Sequence, residues 1–346
     1  MHTNLTRKEK CKLPNIVISV FTWTQRLCFN NNRTGEKWSL ANFSIASADS
    51  FAAVPTFHIF RYALAADYEF LGGPIDQYAD SFIQSSFLSD NPEIAAEAAV
   101  ALNAWMYVVS KLYEVVEDCK TSASSETSFN FMDTLDDDGG INALDQAAAI
   151  WLGYGQTMGQ SDGYLLYTVA ENIARPFGMN GFGQCKANAK IMSLMKDAKN
   201  RISLNNACSS QSDTPSKLKH VVDDIVSYMT VPLMQNLIKA LVENDTSRIK
   251  LYALSVVPLI AGCSPSLYAY LNEKLIVTDQ LMVSEEEEII SKLQSSFSCL
   301  GISCNDIGTY QGSGVECADP VIRNPLAGYI PSSDVREVSS SLSSFM

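Results

Sequence analysis

The chain has 346 residues, 47% of them hydrophobic and 18% charged, with a formal net charge of −13 at pH 7. That composition supplies a large core, on a length that allows one or two domains at roughly 150 residues each. It excludes a nucleic-acid partner, because gripping phosphates needs clustered Lys and Arg, and none occurs beyond Arg7 to Lys12.

The first 46 residues hold an apolar patch, Ile16 to Trp23, behind Arg7, Lys8 and Lys10. Pro14, Thr22, Thr24 and Gln25 interrupt that segment and no small-residue cleavage site follows cleanly, so it reads as a degenerate signal anchor or a misassigned start. No run of about 18 apolar residues occurs, and no transmembrane helix is expected.

From Ser47 to Leu71 the apolar residues have helical spacing, and Gly72-Gly73-Pro74 ends the run. A second helix is expected over Ile75–Leu88. Asp90-Asn91-Pro92-Glu93 then starts a long amphipathic helix, with Ile94, Ala98, Leu102, Trp105, Val109, Leu112, Val116 and Cys119 on its packed face. Tyr107, Ser110, Lys111, Glu114, Glu117 and Asp118 fall on its other faces.

Leu144 to Gly178 reads as the organising stretch: two apolar helical runs, Ala143–Leu152 and Tyr164–Phe177, joined by a Gly-rich loop. Glu171 and Arg175 stand one turn apart in the second run, a spacing that shares one helix face. The glycines match neither GxGxxG nor GxxxxGK[ST] and follow a helix rather than a strand, so they read as a flexible interhelical loop. Asp136, Asp138 and Asp145 fit part of a calcium loop, but Thr134 stands at its first position, Asp145 is shorter than the usual glutamate, and a solvated acidic loop is the preferred reading.

Further helices are expected over Gln184–Ser203, Ser216–Val242 (kinked at Pro232), Ser247–Ala261, Ser264–Leu275, and after Ser284-Glu285-Glu286-Glu287. No stretch keeps period-two alternation. The expectation is an all-α fold, a single multi-helix domain over 47–335 with a tail at 336–346.

Of nine cysteines, Cys11 and Cys28 lie in the N-terminal segment. The other seven form no CxxC and no zinc grouping with His2, His58 or His220. Spread as they are, they read either as buried thiols of a cytosolic protein or as disulfides of a secreted one, the second being preferred, with one left over unless Cys11 or Cys28 pairs with it. Sequons at Asn4, Asn32, Asn42 and Asn244 are compatible with secretion.

Catalytic signatures such as GxSxG and HExxH are absent, so the chain reads as non-enzymatic. Fourteen tyrosines and many carboxylates are present instead, donors that suit hard cations such as ferric iron.

The strings WMYVVSKLYEVVEDC (Trp105 to Cys119), ALDQAAAIWLG (Ala143 to Gly153), LLYTVAENIARPFG (Leu165 to Gly178), CLGISCNDIG (Cys299 to Gly308) and PLAGYIPSSDV (Pro325 to Val335) resemble the low-iron-inducible periplasmic protein family of algae. That family includes the iron-assimilating cell-surface phytotransferrins. The resemblance implies a secreted, periplasmic or cell-surface protein that binds ferric iron with a synergistic carbonate, and makes a membrane-surface protein a candidate partner. On it, Asp145 and Trp151, and Tyr107, Glu114 and Asp118, fall at acidic and aromatic family positions. The expected metal ligands are Tyr107, Glu114, Asp145 and Glu171, with Arg175 holding the anion. Two rivals are kept: a metal-free interaction or scaffold module of the same fold, and a carboxylate hydrolase using Asp145 and Glu171, which requires about 5 to 9.5 Å between them.

Overall fold

A computed structural model describes residues 29–30, 37–38, 54–64, 78–124 and 140–153, and the spans 156–277 and 285–317 apart from 158, 161, 182, 205–206 and 210–211. The calcium-loop positions before Gly140, the sequons at Asn4, Asn32 and Asn42, Cys11, Cys28, Ser284 and the tail lie outside the described residues.

Proline at a first turn, Asx caps and stretches rich in Ala and Leu set helices along most of the described chain. After a two-residue ladder, β1 (Phe29–Asn30) against β2 (Lys37–Trp38), come α1 (Pro55–Ala63), α2 (Tyr78–Leu88) and α3 (Pro92–Ala98). A π-helical turn, Ala99–Ala104, carries α3 directly into α4 (Trp105–Ser124). Then follow α5 (Gly140–Leu152), α6 (Leu166–Ala174), a 3-10 turn at Arg175–Phe177, and the small hairpin of β3 (Asn180–Gly181) and β4 (Gln184–Cys185). The remainder comprises α7 (Lys186–Ile202), α8 (Thr214–Val242), α9 (Thr246–Ile260), α10 (Pro265–Asn272) with a π turn at Glu273–Val277, α11 (Glu286–Ser295) and α12 (Cys304–Ile307). The fold is all-α, as the periodicity predicts.

The centre is α8 rather than the Leu144–Gly178 stretch. It packs against α4, α6, α7, α9, α11 and α12, whereas α5 packs chiefly on α4, α6 and α7. Its 29 residues are long and apolar enough to cross a membrane, but 83% of its apolar window is buried inside the protein, as in a core helix. Even its polar Asp223, Ser227, Thr230 and Gln235 are buried. Ser227 and Thr230 donate back to the carbonyls of Asp223 and Val226, so their hydroxyls are satisfied within the helix. On the turn before Pro232, the Met229 carbonyl accepts the indole N–H of Trp105 at 3.3 Å.

The long helix predicted from Ile94 exists but is not amphipathic throughout. Ala98 to Val109 are all buried, and a polar face opens only at Ser110. The π turn also places Asn103 at 1% exposure with neither its amide nitrogen nor its oxygen hydrogen-bonded, and nothing in the structure explains that position.

Among the described residues there are three disulfides: Cys119–Cys208 ties the end of α4 to the chain before α8, Cys263–Cys299 links the ends of α9 and α11, and Cys304–Cys317 closes a C-terminal loop. Cys185 is the buried cysteine left over from the seven.

Candidate functional site

The five residues predicted to share a site occupy different environments. Tyr107 is 8% exposed, and its phenol donates to Gln146 Oε1 on α5 at 3.1 Å. Burial first, and the Glu114 charge second, push that phenol up to about 12. Lys111 stands 5.9 Å over the Tyr107 ring and pairs with Glu114 at 2.6 Å. Tyr107, Lys111, Glu114 and Asp118 recur at helical spacing and form one strip along α4.

Asp118 ends that strip. Its carboxylate is half-buried, no hydrogen bond reaches it among the described residues, and it lies near both Glu114 and Glu117. Burial, then the Glu114 charge, raises its carboxyl to about 6, against the opposing pull of Lys111. Glu117 has a cation of its own, Lys120, at 2.6 Å. At 1.5 Å of rise per residue, Tyr107 and Glu114 are about 10 Å apart along the axis, whereas Glu114 and Asp118 are neighbours one turn apart. The pair suited to one cation is therefore Glu114 with Asp118.

Asp145 belongs elsewhere. It is half-exposed on α5 and pairs with Lys199 of α7 at 2.9 Å, joining those two helices across the surface.

Glu171 is fully buried, and its surroundings explain how a carboxylate is tolerated there. The backbone N–H of Cys185 lies 3.0 Å from each of its oxygens, and Asn188 Nδ2 donates to Oε1 at 2.8 Å. Cys185 is the residue that caps α7. Glu171 thus acts from α6 as the missing side-chain cap of α7, with its charge at the positive end of that helix. Asn188 is held in turn: it donates to the Tyr167 carbonyl at 2.9 Å and accepts the Trp151 indole N–H at 3.1 Å. The Cys185 thiol is pushed up to about 11, by burial first, which leaves it a protonated packing group and not a nucleophile.

Glu171 and Arg175, one turn apart in the sequence, differ in exposure. The α-helix ends at Ala174, and Arg175 opens the 3-10 turn in an exposed position while Glu171 faces the core. Glu171 is thus buried, whereas Asp145 lies at the surface and is paired with Lys199.

Within the Gly-rich loop, Gly159 is held in place. Gly159 donates its N–H to the Tyr167 hydroxyl at 3.1 Å, and a Cβ on Gly159 would lie 2.0 Å from the Gly183 carbonyl oxygen. Glycine is needed there because two backbones touch. Gln184 reaches the same hydroxyl at 3.0 Å, so one phenol ties the loop to the hairpin.

Composition and spacing gave no sign of Asn188, Cys185 or Tyr167. Only the alternation of a carboxylate on α6 with an uncapped helix start at Cys185 carries such information, and it requires knowing that the two meet. Among the described residues, no group of three or more His, Cys, Asp and Glu side chains is placed to hold a metal ion. Comparisons with protein-family models, curated proteins and solved structures find no match for this chain.

Proposed function

We propose that the protein is a non-enzymatic binding protein of an oxidising, extracytoplasmic compartment, and that its cargo is a hard cation, ferric iron first. Three disulfides support the compartment. The observation that carries the cargo is the Asp118 carboxylate, half-buried without a hydrogen-bond donor and one turn from Glu114. Such a pair gains from a cation, since a bound positive charge offsets the burial and the Glu114 repulsion that raise the Asp118 carboxyl. In this reading Glu114 and Asp118 are the protein ligands, the Lys111 ammonium gives way to the ion, and Tyr107 is a neighbour two turns distant. Asp145 and Glu171 leave the ligand set because Lys199 and the α7 start already hold them. The resemblance to the low-iron-inducible algal proteins points the same way.

The test is calorimetric titration of the full chain with chelated ferric iron, with and without bicarbonate. Saturable binding that falls at least tenfold in Glu114→Gln and Asp118→Asn is expected, and loss of any bicarbonate enhancement in Arg175→Ala would assign the anion to that side chain. A phenolate-to-iron absorption band would move Tyr107 into the coordination shell. Absence of saturable heat would leave the second reading, a metal-free interaction module. That reading is favoured by the internal use of Glu171 and Asp145.

A further inference from the structure

We infer that Asn244 is a site of N-linked glycosylation, an inference that rests on the extracytoplasmic reading above. Asn244-Asp245-Thr246 is an Asn-x-Thr acceptor triplet, and unlike the other three sequons it falls among the described residues. Chance produces many such triplets. What distinguishes this one is how the fold presents it.

Asn244 follows the C-cap of α8, with a left-handed φ of 52°. Its N–H reaches the Leu241 carbonyl at 3.0 Å, and the next N–H, of Asp245, reaches Ala240 O at 2.9 Å, so the turn is closed by its backbone alone. The Asn244 side chain is exposed and its carboxamide enters no hydrogen bond among the described residues. Thr246 is likewise exposed, at the first position of α9. Between them, the Asp245 carboxylate is turned inward: its two oxygens accept from the Arg248 backbone N–H at 3.1 Å and guanidinium at 2.8 Å. The acceptor amide and the hydroxyl therefore face solvent while the intervening charge is neutralised by Arg248.

The turn is also firmly based. Arg248 reaches Glu97 at 3.0 Å and Glu93 at 2.7 Å, and the buried Tyr252 hydroxyl donates to Glu97. A sugar at Asn244 would displace no side-chain hydrogen bond among the described residues and would sit on a turn already closed by its backbone. The chemistry requires a lipid-diphosphate-linked oligosaccharide and its transferase as co-reactants. Asn244 Nδ2 bonds to the anomeric carbon, the bond from that carbon to the diphosphate oxygen breaks, lipid diphosphate leaves, and the amide proton passes to the transferase base.

A plainer explanation for an asparagine here is that it tolerates the left-handed conformation better than most residues. Two substitutions separate the roles. Thr246→Ala destroys the triplet and leaves Asn244 in place, while Thr246→Ser preserves the triplet. Asn244→Gly removes the acceptor and keeps the conformation.

The full chain, expressed behind a secretory leader in a eukaryotic host, is digested and mapped by mass spectrometry after peptide N-glycosidase treatment in heavy-oxygen water. Conversion of Asn244 to labelled aspartate in the parent and in Thr246→Ser, but not in Thr246→Ala, is expected, with the thermal midpoints of Thr246→Ala and Asn244→Gly close to that of the deglycosylated parent. Secreted protein with the three disulfides formed and Asn244 unmodified overturns this inference alone. Protein retained with reducible, alkylatable cysteines overturns the compartment reading, and the glycan with it.

Discussion

Glu171 and Asp118 are both carboxylates on helices of one core, yet the fold treats them oppositely. Glu171, fully buried, accepts from the Cys185 N–H and Asn188 at the start of α7, and so holds α6, α7 and the hairpin together. Asp118 is only half-buried, but burial and the like-signed Glu114 and Glu117 outweigh the pull of Lys111, and no hydrogen bond reaches its carboxylate among the described residues. Depth alone does not decide whether an acid is structural. What decides is whether a helix start or an amide is aimed at it, because a hydrogen-bonded buried carboxylate is stable while a crowded, donorless one at the edge is left to find a proton or a cation.

The largest break in that contrast comes from Glu171→Ala. It strands the Cys185 N–H and takes from Asn188 one of its two acceptors, and a loss of about 4 kcal/mol in urea unfolding is expected from removing one side of such a buried network. Glu171→Gln keeps the shape and one acceptor oxygen, and should cost roughly half as much. A Glu171→Ala cost below about 1 kcal/mol would mean that the capping role is wrong.

Asp118→Asn should act in the opposite direction. Folding raises its carboxyl from 3.8 to about 6. A raised carboxyl favours the protonated protein, so its contribution to stability is full below the unfolded value and is lost as pH rises through the folded one. Removing the charge should thus stabilise by about 1 kcal/mol at neutral pH, once solvent screening of a half-exposed group is allowed for, with the gain vanishing below the unfolded value. Thermal midpoints of parent and variant followed from acid to neutral pH supply the check; a constant offset would remove the titration from the explanation.

Smaller effects sharpen the same comparison. Lys111→Met deletes a cation of the strip and should raise the Asp118 carboxyl further, at a cost near ~0.5 kcal/mol that high salt reduces. Asp145→Asn breaks a half-exposed ion pair with Lys199, and a change of only ~0.3 kcal/mol is expected in a double-mutant cycle with Lys199→Met. A coupling of several kcal/mol there would restore Asp145 as a residue of functional weight.

Much of the helix plan was legible in the residues. Pro92 after the Asn91 cap, Asp245 before α9 and the 3.6-residue apolar period are local signals, and each element forms where its signal stands. The apolar all-round pattern of Leu251 to Ile260 likewise marked α9 as buried, because a helix without a polar face has only the core to occupy.

The sequence by itself therefore determined the all-α class, most helix starts and an odd set of seven cysteines outside the N-terminal segment. Tertiary structure alone decided which cysteine that is, that α8 and not the Gly-rich stretch lies at the centre, and that Glu171, Arg175, Asp145 and Tyr107 part company. The physical reason is range. Caps and periodicity act within a turn or two of the chain, whereas the fate of a carboxylate depends on donors brought from elements far along it, and no spacing in the sequence records which helix start will arrive beside Glu171.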